Sequence, residues 1–268
     1  MSPTGPDPTA PRRWRGLGVP VDAVDLDTAL DWAERRLAAG AGGWVVTPNP
    51  EIAVAAWRDE RLRAALDAAP LSLADGGGLL WASLFLGGPL HDRVMGIEFL
   101  DCCLARCAAR GWPVFLLGAK PGVAAEAARR AAARWPGLVV AGTQHGYFTG
   151  AEAAEVRAAI AAARPRFLAV GMGHPRQEVW LADNMPHLPG VLGLACGGSL
   201  DVLAGRVRRA PGWVQRAELE WLYRLLASPR ARWRRSLALP RFVATVLYWG
   251  WTGGGPPPRS EGQEVRDQ

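Results

Sequence analysis

Six short apolar runs, each followed by glycine, asparagine or aspartate, place the strongest limit on the fold of this 268-residue chain. Each run has the length of a strand and lacks the polar alternation of a half-exposed strand, so it predicts a strand buried on both faces. The runs, with the residues that end them, are WVVTPNPE, LSLADGGG, PVFLLGAK, LVVAGTQHG, RFLAVGMGHP and VLGLACGGSLD. Strands of this kind are typical of a parallel sheet.

Helix-forming segments separate the runs. Residues 124–135 and 151–164 are rich in Ala, Arg and Glu, which are good helix formers. Strands that alternate with such helices form right-handed crossovers. The sequence therefore predicts an α/β fold, a Rossmann-like, open and mostly parallel sheet with helices on both faces.

This fold also predicts where a ligand binds, because such sheets bind ligands outside the carboxyl ends of their strands. We expect one crevice at that edge to collect the polar residues that end the runs. These residues are Thr47, Asn49, Asp75, Lys120, Gln144, His145, Gln177 and Asp201. The chain contains neither the GxGxxG fingerprint nor the GxxxxGK[ST] loop, so the motifs of dinucleotide and P-loop sites are missing.

The composition changes after residue 205. The stretch from Gly205 to Trp249 carries ten arginines and two glutamates, a net charge of +8, while the whole chain carries +6. We predict an α/β catalytic domain over 14–205, a basic amphipathic helical appendage over 206–251, and disordered tails over 1–13 and 252–268. A basic segment of this kind favours an anionic partner, which could be nucleic acid, a membrane surface or a phosphorylated ligand.

The last apolar run, SLALPRFVATVLYWGW, is too short to span a bilayer, and Pro240 and Arg241 interrupt it. Arginines beside tryptophan and tyrosine favour an element that lies in the membrane interface. The four cysteines match no zinc-binding spacing. With no secretory segment in the sequence, we expect a reducing, cytoplasmic environment.

Asp75 has two interpretations. It can cap the helix that follows, at a gain of about 1 kcal/mol, or it can act as a general base at the strand edge. Capping does not require the three glycines that follow Asp75, whereas close approach of a ligand to the backbone does. We therefore favour the general base.

Each of the other candidate positions also has a structural and a chemical interpretation. Thr47 and Asn49 either form a proline-bracketed turn, with Asn49 as the helix cap, or line the ligand site. Gln177 carries the donor and acceptor that recognition of a base or an amide requires, and Glu178 could lie near a helix N-terminus. Two further groups complete the set: Gly197, Gly198 and Asp201, which form a tight turn or receive a ribose, and the DLD of residues 25–27, which we assign to capping and not to a metal.

Seven motifs in one order resemble the WecG/TagA/CpsF family of bacterial glycosyltransferases, glycosyltransferase family 26, over roughly residues 17–245. They are TPNPEI, LADGGGLLWASLFLGGPLHDRVMGIEF, FLLGAKPG, GTQHGYF, VGMGHPRQEVW, CGGSLDVLAG and RRAPGWVQRAELEWLYRLLASPRARWRR. The resemblance implies metal-independent, inverting transfer of a hexose, such as N-acetylmannosamine, from a UDP-sugar to a sugar on a polyprenyl diphosphate. Such products enter cell-surface polysaccharide or teichoic acid.

The resemblance also implies roles for residues. Asp75 is the expected catalytic base, and Thr47 is expected beside it in the active site. Substrate-binding positions are expected at Asn49, Arg93, Gln177, Asp201 and Arg224, and the glycine-rich turn itself adds Gly197 and Gly198. We expect no cofactor besides the UDP-sugar substrate and no metal.

The expected partners are the UDP-sugar, the lipid-linked acceptor, an anionic membrane surface and a second copy of the chain. The expected location is the cytoplasmic face of the cell membrane. Two other activities remain open from the residues alone. One is a nucleotide-binding α/β oxidoreductase, and the other is a basic nucleic-acid-binding protein, which the amphipathic pattern of the arginine-rich segment disfavours.

Overall fold

A computed structural model describes residues 11–207, 210–212, 214, 223 and 238–255. Its centre is a six-stranded sheet with the order β4-β3-β8-β7-β5-β6, in which every pair of neighbours is parallel. The strands are β3 (Gly43–Val46), β4 (Leu71–Ser72), β5 (Val114–Gly118), β6 (Val140–Gln144), β7 (Phe167–Gly171) and β8 (Leu192–Ala195). All six coincide with the apolar runs, which confirms the predicted α/β, Rossmann-like class.

Ten helices are described around this sheet, together with one 3₁₀ turn at Met185–His187. They are α1 (Leu26–Ala39), α2 (Pro50–Ala56), α3 (Glu60–Asp67), α4 (Gly77–Phe85), α5 (Gly96–Arg110), α6 (Val123–Arg134), α7 (Ala153–Ala163), α8 (Arg176–Asn184), α9 (Ser199–Leu203) and α10 (Ala238–Thr252). Of the predicted helical appendage over 206–251, residues 208, 209, 213, 215–222 and 224–237 lie outside the described residues.

The sheet separates two apolar layers. Neighbouring residues of one strand enter opposite layers, as Val45 and Val46 of β3 show, because successive side chains of a strand point to opposite faces. One layer packs the sheet against α1, α5, α6 and α9, and the other packs it against α2, α3, α4, α7, α8 and α10. Helices therefore cover both faces, as the buried runs predict.

The two edges of the sheet differ. The sequence predicts that β6, like the other strands, is buried on both faces. Its residues are only half buried, so this prediction is wrong for β6. At the other edge, a short antiparallel pair of β1 (Arg13–Trp14) and β2 (Val21–Asp22) lies beside β4. Oδ2 of Asp22 accepts a hydrogen bond from the backbone N–H of Ser72 at 2.8 Å. A side chain thus satisfies the edge of β4, and Arg13, which the sequence assigns to a tail, lies in β1.

Helix α10 packs on α2 and belongs to the apolar layer on that face of the sheet. Phe242 stacks on Trp57 with 6.0 Å between ring centroids, and Trp249 meets the same ring edge-on at 5.1 Å. The sequence predicts that Pro240 interrupts this segment, and the structure shows that it does not. Pro240 lies in the first turn of α10, where a backbone N–H has no hydrogen-bond partner within the helix. None of the described helices is both long and apolar enough to cross a bilayer.

Candidate active site

A cavity of about 500 Å³ opens at the carboxyl ends of β3, β4, β7 and β8, and this volume lies in the usual range of small-molecule sites. Its walls come from the loops that follow these four strands, from the loop before α5 and from residues of α10. Seven of the nine positions predicted from the sequence line it: Thr47, Asn49, Asp75, Arg93, Gln177, Gly197 and Gly198.

The expectation of a single crevice for all the strand-end residues is wrong. Lys120, Gln144 and His145 do not line this cavity, because β5 and β6 occupy the far side of the sheet. Asp201 does not line it either, although its charge helps to raise the pKa of Cys196, which does. Arg224 lies outside the described residues.

Thr47 and Asn49 are fixed by the end of β3. The hydroxyl of Thr47 is buried and donates to the carbonyl of Ala195 at 3.0 Å, so only its lone pairs remain for a ligand. Oδ1 of Asn49 accepts from the N–H of Ile52 at 3.0 Å and caps α2, with Pro50 as the first helical residue. The capping interpretation of Asn49 is correct, and this bond does not use the Nδ2 donors.

Asp75 is held by its backbone, which donates to the carbonyl of Pro48 at 2.9 Å. The N-cap interpretation of Asp75 is wrong, because α4 begins at Gly77 with Gly76 as its N-cap residue. The loop that carries Arg93 returns to the same point, where the N–H of Val94 donates to the carbonyl of the residue before Asp75 at 2.9 Å. The end of β4 and the loop between α4 and α5 thus bring a carboxylate and a guanidinium into one cavity.

The glycines after Asp75 have structural reasons that the sequence does not reveal. Gly76 has a φ of +97°, which side chains rarely adopt, and a Cβ on Gly78 would lie 2.6 Å from Cγ of Pro50. Close packing of α4 on α2 therefore explains Gly78 without a ligand. Gly198 differs, because a Cβ there would meet nothing within 4 Å, as expected for a residue that faces the cavity.

Gln177 joins two sides of the cavity. Its Oε1 accepts from the N–H of Gly173 at 3.2 Å and from the N–H of Gly197 at 3.0 Å. Its Nε2 donates to Oε1 of Glu178 at 2.8 Å. The carbonyl oxygen and one of the two N–H groups that the sequence assigns to a ligand are therefore engaged within the protein, and Gln177 braces the loops after β7 and β8.

Two buried titratable groups lie at or next to the site, Cys196 in the cavity wall and Glu178 behind Gln177. Burial raises the pKa of Glu178, against hydrogen bonds from Gln177 and from its own backbone, and its side chain is fully enclosed. Burial also raises the pKa of the Cys196 thiol to about 12, which keeps that thiol protonated at neutral pH. The sequence did not reveal the enclosure of Glu178, since a glutamate in a first helical turn does not signal burial by its spacing.

No three His, Cys, Asp or Glu side chains are grouped so that they could bind a metal ion in the part of the chain that the structure describes. The DLD motif serves in capping, as predicted. The carboxylate of Asp25 accepts from the N–H of Thr28 at 2.8 Å at the start of α1.

Comparison with known proteins supplies the family. A model of the glycosyl transferase WecG/TagA/CpsF family matches residues 14–254. A relative from Bacillus spizizenii (strain ATCC 23059 / NRRL B-14472 / W23) is 38% identical over 206 residues, which are 77% of this chain and 79% of that protein. One from Bacillus subtilis (strain 168) is 32% identical over 230 residues, 85% of this chain and 89% of that protein. Both are named N-acetylglucosaminyldiphosphoundecaprenol N-acetyl-beta-D-mannosaminyltransferase. The chain belongs to the WecG/TagA/CpsF family of glycosyl transferases, as its motifs predict.

Proposed function

We propose that this glycosyltransferase moves N-acetylmannosamine, or a closely related hexose, from a UDP-sugar to a sugar carried on a polyprenyl diphosphate. The names of the two Bacillus relatives support this proposal, because both specify a mannosaminyl group and a diphosphoundecaprenol-linked N-acetylglucosamine acceptor. The products would enter a cell-surface polysaccharide or teichoic acid.

The observation that carries the proposal is the position of Asp75 in the cavity beside Thr47, Asn49 and Arg93. In the proposed reaction an acceptor hydroxyl attacks the anomeric carbon and forms the new C–O bond. Asp75 takes the hydroxyl proton, the bond from the anomeric carbon to the diphosphate breaks, and UDP leaves from the opposite face with inversion. A carboxylate is a weak base, so the proton moves late, as the sugar gains oxocarbenium character.

The leaving diphosphate needs positive charge to receive it. Arg93 lines the cavity and is proposed to contribute, with further arginines from the basic segment that includes Arg224. We propose that these cations replace a metal and that no cofactor besides the UDP-sugar takes part.

An apolar surface borders the cavity and supports peripheral association with the cytoplasmic face of the membrane. Its exposed side chains are Trp81, Leu84 and Phe85 of α4 and Val243, Leu247, Tyr248 and Trp251 of α10. Trp81 and Val243 also line the cavity, so a lipid-linked acceptor could enter directly from that side. Leu84 and Trp251 are 79% and 92% exposed, and an exposed apolar patch to which such side chains belong marks a surface that meets a partner or a membrane.

The test is transfer from a panel of UDP-sugars, including UDP-N-acetylmannosamine, to a short-chain polyprenyl diphosphate N-acetylglucosamine, with EDTA present. We expect product from one donor, a loss of about 10²-fold or more in Asp75→Asn, and unchanged activity in the control Asp59→Asn. Asp59 caps α3 away from the cavity, and asparagine caps equally well. Turnover by Asp75→Asn would refute the base, and product only after addition of a divalent cation would refute metal independence.

A further inference from the structure

Glu178 is a wholly enclosed acid that the proposed reaction does not use. It lies in the first turn of α8, with no exposed surface. Its Oε1 accepts from Nε2 of Gln177, whereas its Oε2 is buried and has no hydrogen-bond partner among the described residues. Glutamate is rarely enclosed in this way without a specific task, because the charged form loses its hydration.

Glu178 is connected to the cavity through Gln177, which bonds to it and lines the cavity. The carbonyl oxygen of Gln177 accepts hydrogen bonds from two backbone N–H groups, those of Gly173 and Gly197. Both glycines have a positive φ, +75° and +53°, and a Cβ on either would meet nothing within 4 Å. They are the turning points of two loops, they line the cavity, and they leave room for a ligand to approach the backbone.

The orientation of the Gln177 amide determines whether these bonds form. A glutamine amide has a carbonyl end and an N–H end of nearly equal shape, and only the carbonyl end accepts. Gly173 and Gly197 present two donors to one end, so the other end must meet an acceptor. Oε1 of Glu178 is that acceptor at 2.8 Å, and an apolar residue at this position would leave a buried N–H unsatisfied.

We propose that Glu178 is a positioning residue for glycosyl transfer, which acts through Gln177 to hold the Gly173 and Gly197 turns against the bound donor sugar nucleotide. The role rests on the proposed function. It requires an acceptor oxygen at position 178 and not a negative charge. Glu178→Gln keeps such an oxygen and matches the protonated acid in shape, while Glu178→Met keeps the volume and removes the oxygen.

The first experiment is a double-mutant cycle on the full chain, with kcat and KM for the UDP-sugar measured well below the unfolding temperature. We expect Glu178→Met and Gln177→Met each to lower kcat/KM by about tenfold or more, and the double variant to be no worse than the poorer single variant. Glu178→Gln should retain most of the wild-type kcat/KM. Losses that multiply in the double variant, or equal losses in Glu178→Gln and Glu178→Met, would overturn the proposal.

A control on the same helix separates positioning from plain stability. Asn184 is also buried in α8, where its Nδ2 donates to the carbonyl of Trp180 at 2.8 Å, and it does not line the cavity. Asn184→Leu should lower the unfolding temperature without changing kcat or KM. If Glu178→Met behaves in the same way, Glu178 has only a structural role.

Amide hydrogen exchange keeps the proposal testable without turnover. Glu178→Met should speed exchange of the Gly173 and Gly197 amides, and Glu178→Gln and Asn184→Leu should not. Unchanged exchange at both glycines in Glu178→Met would show that Glu178 does not hold the two turns through Gln177, and would refute the proposal. Wild-type protein that neither binds UDP nor transfers sugar would instead refute the proposed function, and the exchange result would still decide whether Glu178 holds the two turns.

Discussion

Glu178→Gln should stabilise the protein, and the gain should grow with pH. Burial raises the pKa of Glu178 above its ordinary value of 4.5. Below pH 4.5 the acid is protonated in both the folded and the unfolded chain, so it imposes no pH-dependent cost. Above that pH the unfolded chain releases the proton first, and the wild type loses stability until the pH passes the raised pKa of the folded state.

The size of the effect follows from the enclosure of the carboxyl group. The free energy of unfolding of the wild type should fall by about 1.4 kcal/mol per pH unit within this window relative to Glu178→Gln, which has no proton to lose. The hydrogen bonds do not offset this slope. Gln177 can donate to the amide oxygen as it does to Oε1 of Glu178 at 2.8 Å, and the amide N–H₂ replaces the protonated Oε2, which has no described partner.

The assay is urea unfolding of both proteins from about pH 5 to about pH 8, with the difference in free energy plotted against pH. A matched control is Glu126→Gln, because hydrogen bonds from Arg129 and Arg130 lower the pKa of Glu126 to about 2. Glu126 is charged in both states throughout this range, so its variant should differ from the wild type by a constant amount. A flat difference for Glu178→Gln would refute the reasoning, since it would show that Glu178 is ionised within the folded protein.

Three further predictions concern the walls of the cavity. Thr47→Val removes the hydrogen bond to Ala195, so it should cost about 1 kcal/mol of stability and most of the transfer activity. Thr47→Ser keeps the hydroxyl and should keep both the stability and the activity. Equal kcat values for the two variants would exclude a role for the hydroxyl. Gly78→Ala should cost about 1–3 kcal/mol in urea unfolding, because the added methyl would lie 2.6 Å from Pro50, and an unchanged midpoint would contradict this packing. Cys196 should resist iodoacetamide at neutral pH in the folded protein and react after denaturation, since its pKa is about 12; mass spectrometry that finds it alkylated in the folded state would disprove this.

The sheet could be predicted from the sequence because burial on both faces leaves a local signature. Each of the six strands carries an apolar run, and each run ends where the chain turns. The order of the strands carries no such signature, since it depends on which crossovers skip a neighbour. For that reason Asp75 and Gln177 were correctly expected at one edge of the sheet, while Lys120 and His145 were wrongly expected in the same crevice.

Contacts between distant residues account for most of what the sequence did not predict. The pair β1–β2 has strands of only two residues, too short for a periodic pattern. The bond from Gln177 to Gly197 spans twenty positions, and nothing in either motif indicates it. The sequence predicts Glu178 near the helix dipole, and its first-turn position is correct, but its enclosure leaves no mark in the local pattern.

The packing of α10 on α2 sets an order of events during synthesis. The chain emerges from its N-terminus, and the last strand of the sheet is complete at Ala195, whereas α10 begins 43 residues later, at Ala238. At ordinary elongation rates of roughly 5–20 residues per second, this interval lasts about 2–9 s. Until then the nascent chain lacks the wall that Leu239, Phe242 and Val243 give to the cavity, and the apolar side of α2 has no cover. We therefore expect a ribosome-bound precursor with a complete sheet to transfer sugar poorly, because one wall of its cavity is still missing.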